Sequence, residues 1–156
     1  MNTETVFTFA GQLGETLALM RRLIEEWSIH PAFVMLARRI VAHATGPEHE
    51  ARAIYEWVRA RVQYRRDPVG AEWVQDPMET LWRSRAGDCD DMAVAAGALL
   101  QAIGHPVQIQ AIRWEGRKAP SHVVVFDQAA NLVVDPVSPS FPWPPAGFKV
   151  AATVSA

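Results

Sequence analysis

The chain has 156 residues, 49% hydrophobic and 21% charged, with a formal net charge of -2 and a single cysteine. That size suits one globular domain with its own core, and the charge balance offers no electrostatic footprint for nucleic acid or an anionic membrane. One cysteine excludes an internal disulfide and fits a reducing compartment, where a free thiol survives.

The opening stretch, 1–11, carries Glu4, no Lys or Arg and no apolar run of signal-peptide length, so a soluble, cytoplasmic protein is expected. Leu13, Leu17, Met20, Ile24 and Trp27 then fall at steps of four and three, one face of a helix. Pro31 opens a second helix on Phe33, Leu36, Ala37, Ile40 and Ala44. Thr45-Gly46-Pro47 punctuates, and a third helix runs on Ala51, Ile54, Tyr55, Val58 and Val62, with Glu48 and Glu50 in its first turn. Arg59, Arg61, Arg65 and Arg66 at its end read as a solvated cationic terminus before the loop at Asp67-Pro68 and Gly70.

Asp76-Pro77-Met78-Glu79 supplies an N-cap, a proline at the first helical position and an acid at the third, which predicts a short helix reaching Arg85. Ala86-Gly87 stops it. The next helix is expected to start at Cys89 with Asp88 as its cap and to close at Gly104. Cys89, Met92, Ala93, Ala96, Leu100 and Ile103 share its apolar face, and Gly97 within it implies a close neighbour. The most apolar run, 92–103, is far too short to span a bilayer. Beyond His105-Pro106 the period becomes that of strands, at 107–114, 122–126 and 132–134, predicting an antiparallel second half. Pro136, Pro139, Pro142, Pro144 and Pro145 then surround Phe141 and Trp143, which predicts an extended arm over 136–147 whose aromatics cover the core.

Gly87-Asp88-Cys89-Asp90-Asp91 carries the chemistry. A thiol at a helix N-terminus faces unpaired N–H groups and the positive end of the macrodipole, which ease thiolate formation. The flanking acids oppose that electrostatically, unless they are turned away or engaged in capping, the role expected for Asp88 and Asp91. A nucleophilic cysteine also needs a base and a group to orient it, and His122 and Asp135 follow in a workable order. Their strands set a condition: paired positions summing to 257 put His122 opposite Asp135 on one face, whereas a sum of 258 puts them on opposite faces. His30, His43, His49 and His105 are expected at the surface. No metal is expected, because hard cations want a wrapping loop of oxygen ligands and soft ones want several thiolates or imidazoles.

These residues resemble the transglutaminase-like superfamily, the branch of papain-like cysteine enzymes with bacterial and phage members. The matching stretches are 53–59 with Val62-Gln63-Tyr64, then 76–81, Gly87-Asp88-Cys89-Asp90-Asp91-Met92 running through Ala98-Leu99-Leu100 and Ile103-Gly104, Ser121-His122-Val123, and Val134-Asp135-Pro136. They cover 47–137, with a helical part at 13–46 before and the proline-rich arm after, all within one domain, 1–156. The resemblance implies an α+β fold of papain-like, transglutaminase-like kind, its central Cys-bearing helix packed on an antiparallel sheet. It implies Cys89 as nucleophile, His122 as general base and acid, and Asp135 as the orienting acid. It also implies an oxyanion site made by the Cys89 N–H and a further side chain, with Gln75 and Trp73 as candidates.

The expected activity is Cys-His-Asp acyl transfer on a protein or peptide substrate with no cofactor. Hydrolysis of a peptide, isopeptide or glutamine-type amide is the first expectation, and transamidation stays open. The competing reading is a non-catalytic assembly or binding module, for example one incorporated into a phage or prophage particle.

Overall fold

A computed structural model of the chain describes residues 6–8, 13–69, 71–143 and 147–156, the first three by backbone alone. The expectations resting on Gly70, on Pro144 and Pro145, and on most of 1–11 lie outside the described residues.

Four α-helices form where the apolar spacing puts them: α1 (Leu13–Ser28), α2 (Pro31–Ile40), α3 (Pro47–Arg61) and α4 (Cys89–Ala102). His30 caps α2, its Nδ1 accepting the Ala32 N–H at 3.2 Å, and Pro31 fills the first helical position. The helix expected from Asp76 starts as read, with Asp76 Oδ1 accepting the Glu79 N–H at 2.9 Å. It then widens into a π-helical turn, Glu79–Arg83, closed by Ser84 N–H on Glu79 O at 2.9 Å.

Two short pairings flank the Cys-bearing turn. β1 (Val6–Thr8) runs antiparallel to β3 (Glu72–Val74), and β2 (Gln63–Tyr64) runs parallel to β4 (Ala86–Gly87). The main sheet contains β5 (Val107–Trp114), β6 (His122–Asp127), β7 (Leu132–Val134) and β8 (Phe148–Ser155). Its order is β7-β6-β5-β8, antiparallel throughout.

α4 is buried on all sides from Asp90 to Leu100, not along the single face its spacing suggested. Its alanines project so little that α1, α2, α3 and the sheet all pack on it, and a helix apolar all round belongs in the interior. At Gly97 a Cβ would stand 2.7 Å from Ile24 Cδ1 and 3.5 Å from Val125 Cγ2, so α1 and the sheet close on that point. Val107, Ile109, Ala111, Val123, Val125 and Val134 join this core, while Ile112, Val124, Val133 and Trp143 form a second cluster on the opposite sheet face.

Val125 pairs with Val134 and Phe126 with Val133, so paired positions sum to 259, neither of the registers considered above. Only parity decides the face, and an odd sum keeps His122 and Asp135 together. They are diagonal neighbours two residues out of register, a separation that long side chains bridge. Among the described residues, no helix is long and apolar enough to cross a membrane.

Candidate active site

His122 Nε2 donates to Asp135 Oδ2 at 2.7 Å. Asp135 lies just past β7, only 3% exposed, and its other oxygen accepts the Val137 N–H at 3.1 Å. The imidazole is therefore held through Nε2, and Nδ1 is the nitrogen open to another partner. Its ring sits beside Trp114 and Trp143, with centroids at 6.2 and 6.3 Å. Trp143 comes from the proline-rich arm, which is tied to α3. Tyr55 Oη donates to Ser138 O at 2.6 Å, and Arg59 Nη1 donates to Pro136 O at 3.0 Å and Val137 O at 2.9 Å. Sequence reasoning missed Trp114 as a wall of the histidine, although two-residue alternation from Ile112, which pairs with His122, carries the signal.

Cys89 opens α4. Asp88 precedes it with extended backbone (φ -101, ψ -159), and the Asp88 N–H donates to Asp91 Oδ2 at 3.1 Å. Asp91 also accepts the Gln75 backbone N–H at 2.7 Å and Gln75 Nε2–H at 2.7 Å. Gly87 is the residue that permits this, since a Cβ there would lie 2.7 Å from Asp91 Cβ and Oδ2.

The thiol is half-buried, with the Val123 N–H against it and the Asp135 charge acting on it. β7 pairs only with Val125–Asp127, which leaves the start of β6, His122 and Val123, beyond the end of β7. Among the described residues, Cys89 Sγ and His122 are not hydrogen-bonded to each other.

Burial first, then the Asp90 and Asp88 charges, push the Cys89 thiol well above its ordinary value against the help of the Val123 N–H. Burial, reinforced by the acids, therefore favours the neutral thiol, against the anion expected at a helix N-terminus. Asp90 is itself pushed well above the carboxylate range by burial and by Asp88. Among the described residues, Asp88 Oδ1 and Asp90 Oδ2 are both buried without a hydrogen-bond partner, and a proton retained on Asp90 supplies a donor that two carboxylates lack. Burial and the Asp88 charge push Asp91 up to about 7, against the hydrogen bonds from Gln75 and Asp88.

Gln75 Nε2 donates to Ala86 O at 3.1 Å as well as to Asp91, so both amide hydrogens are engaged and the side chain clamps the Cys-bearing turn. The buried Asp91 carboxyl demands those donors. Trp73 sits on β3, where its backbone N–H donates to Asp67 Oδ2. Asp67, Asp88 and Asp91 bring carboxylate oxygens within 4.8 Å of one another, but the Asp67 and Asp91 oxygens already accept the bonds just named. The donors they accept from hold a backbone turn.

His105 also departs from expectation, being buried at 5% exposure. Nδ1 donates to Asp127 Oδ2 at 2.7 Å and Nε2 to Glu50 Oε2 at 2.9 Å. Two carboxylate acceptors require both ring nitrogens to carry protons.

Beside His122 opens a cleft of about 860 Å³, lined in part by Tyr64, Arg66, Trp114, Arg117, Lys118 and Trp143. Cys89 does not line it.

A helix that begins with a thiol and packs on an antiparallel sheet carrying His122, with Asp135 just past β7, makes an α+β fold. The family model of the Transglutaminase-like superfamily matches residues 34–136, more than half the chain, and the chain belongs to that superfamily. A candidate protease from Parabacteroides distasonis ATCC 8503 is similar in structure, with TM-score 0.61 and 17% identity over 81% of this chain and 26% of that one. A candidate cysteine protease from Cytophaga hutchinsonii gives TM-score 0.59 and 17% identity over 84% of this chain and 46% of the other. The chain thus spans less than half the length of either. No relative was found among curated protein sequences. Family and fold together support a cysteine-dependent enzyme in general.

Proposed function

We propose that the chain is a cysteine-dependent acyl-transfer enzyme that hydrolyses a peptide, isopeptide or glutamine-type amide, with Cys89, His122 and Asp135 as its triad. The observation that carries this reading is the part-buried 2.7 Å bond from His122 to Asp135, whose charge also reaches the helix-borne thiol.

Because Cys89 starts as a neutral thiol, its proton leaves as the new bond forms. His122 Nδ1 takes the Sγ proton while Sγ attacks the amide carbon, and Asp135 balances the imidazolium. Substrate binding must draw Sγ and Nδ1 into hydrogen-bonding reach. N–H groups at the start of α4 face the oxyanion, with Trp73 the remaining side-chain candidate. His122 then gives its proton to the leaving nitrogen, the C–N bond breaks, and a thioester remains. Water, losing a proton to His122, attacks that thioester; the C–S bond breaks, the proton returns to Sγ, and a carboxylic product departs. An amine in place of water gives transamidation. A thiol that must stay reduced fits the cytoplasm.

A second reading, a non-catalytic assembly or binding module such as a phage-particle component, is favoured by one observation: Cys89 is half-buried and does not line the cleft beside His122. Iodoacetamide labelling of Cys89 across pH, alongside turnover of peptide and isopeptide libraries, separates the two. Wild-type labelling should rise with pH, with a midpoint above the ordinary thiol value of about 8.5. His122→Ala should slow it by at least about tenfold at neutral pH, because the base is lost. Equal labelling of both proteins, together with no turnover, would establish the binding module instead.

A further inference from the structure

The cleft beside His122 carries charge of one sign. Apart from the His122–Asp135 pair, its charged lining residues are Arg66, Arg117 and Lys118, all exposed. None of the three has an ion-pair partner among the described residues, and no carboxylate other than the engaged Asp135 lines the cleft. This runs against a chain whose formal net charge is -2. Low-dielectric walls concentrate such a field, and here Trp114, Trp143 and Tyr64 supply the walls.

Two of the cations have a fixed relation to the candidate base. Arg117 and Lys118 stand on the connection from β5 to β6, which runs directly into His122. That connection is held at three points: Arg117 N–H on Trp114 O at 3.0 Å, Arg113 Nη1 on Arg117 O at 3.1 Å, and Ser121 N–H on Ile112 O at 3.0 Å. Arg66 approaches from the other wall and also borders a second cleft containing Asp67 and Glu79, so its charge is shared between them. The anion-attracting edge therefore belongs chiefly to the β5–β6 connection.

We propose that the substrate is an acidic peptide whose carboxylate side chains are read by Arg117 and Lys118, aided by Arg66, while an apolar side chain rests on Trp114 and Tyr64. This rests on the acyl-transfer reading for what happens to the peptide, but not for its binding. An extended chain advances about 3.3 Å per residue, so carboxylates within a few residues of the reacting amide reach the connection. Exposed cations of this kind set orientation and association rate, and salt screens them.

The test uses the full chain with Cys89→Ala, so that binding is read apart from chemistry. The probes are tetramethylrhodamine-labelled decapeptides of one sequence carrying Glu, Gln or Lys at four positions, followed by fluorescence anisotropy. The Glu peptide should bind about tenfold or more tighter than the Gln peptide at 50 mM salt, with the gap shrinking at 300 mM as screening tightens. Adding Arg117→Gln and Lys118→Gln should remove most of that preference while the affinity for the Gln peptide stays within about twofold, and circular dichroism verifies the fold. Equal binding of Glu and Gln peptides, or a preference that survives both substitutions, would overturn the proposal. A Glu preference without turnover in the wild-type chain would retain acidic-peptide recognition and discard acyl transfer. Turnover that is indifferent to acidic residues would do the reverse.

Discussion

The carboxyls of Asp88 and Asp90 flank the Cys89 thiol, each with a buried oxygen that has no hydrogen-bond partner among the described residues. A proton retained on Asp90 leaves the two carboxyls with one negative charge instead of two. Because the folded state raises Asp90 above an unfolded carboxyl of about 3.9, the associated stability is full below that value and is lost as pH rises through the folded one. Asp90→Asn substitutes an amide N–H for the retained proton and removes the titration. Its urea midpoint should match the wild type near pH 4 and exceed it increasingly toward pH 8, and a gap independent of pH would rule the retained proton out. The position of Cys89 at a helix start, and of Asp88 and Asp91 on its cap, is legible in the sequence because capping depends on residues three apart. The sign of the thiol shift is not, because it depends on tertiary burial of Asp90 and on whether distant donors such as those of Gln75 reach Asp91.

At the scale of the element, α4 is set by its smallest residue. A Cβ on Gly97 would meet Ile24 Cδ1 at 2.7 Å inside a filled core, while alanine gains about 1 kcal/mol over glycine in helix propensity. Overpacking costs about 1–3 kcal/mol, so Gly97→Ala should be net destabilising by about 1 kcal/mol in urea denaturation. Ile24→Val deletes the clashing methyl, and in that background Gly97→Ala should become neutral or stabilising. Additive effects would mean that α1 does not press on this position. The four α-helices are legible from apolar spacing and from Pro31, Pro47 and Gly104. β8 is not: it pairs along one edge of the sheet with mostly exposed side chains, so burial leaves little alternation to read. β2 and β4 are two residues long and exist because tertiary contacts align them. Register also escapes the sequence, since the turn between β6 and β7 shifts the ladder by two residues while preserving parity, and parity is all the His122–Asp135 contact needs.

Across the whole molecule, β6 carries a histidine–carboxylate pair at each end, with opposite purposes. His122 lines an open cleft, whereas His105, bound to Asp127 and Glu50, ties the end of α4 and the start of α3 to the sheet. The sequence singles out His122 by its order with Cys89 and Asp135 but misplaces His105 at the surface, because that ring finds its acids only through the fold. The hydrogen bond that His105 donates to Asp127, more than offsetting burial, raises the His105 pKa. Its stabilisation is complete below about 6.5 and is lost as pH rises through the higher folded value. His105→Gln should therefore lower the melting temperature most at pH 5 to 6 and least above pH 8. A deficit that stays constant across that range would show that the ring contributes only packing.

The arm from Pro136 to Trp143 leaves one edge of the sheet beside Asp135, and the chain returns at the other edge as β8, where Phe148 packs on Trp143 at 4.7 Å. The segment that walls His122 is thus also part of the connection that delivers the last strand. Occupancy of the cleft and docking of β8 are consequently linked equilibria: whatever fills the site adds its binding free energy to the closure of the sheet, and fraying of that edge strand is felt at the histidine.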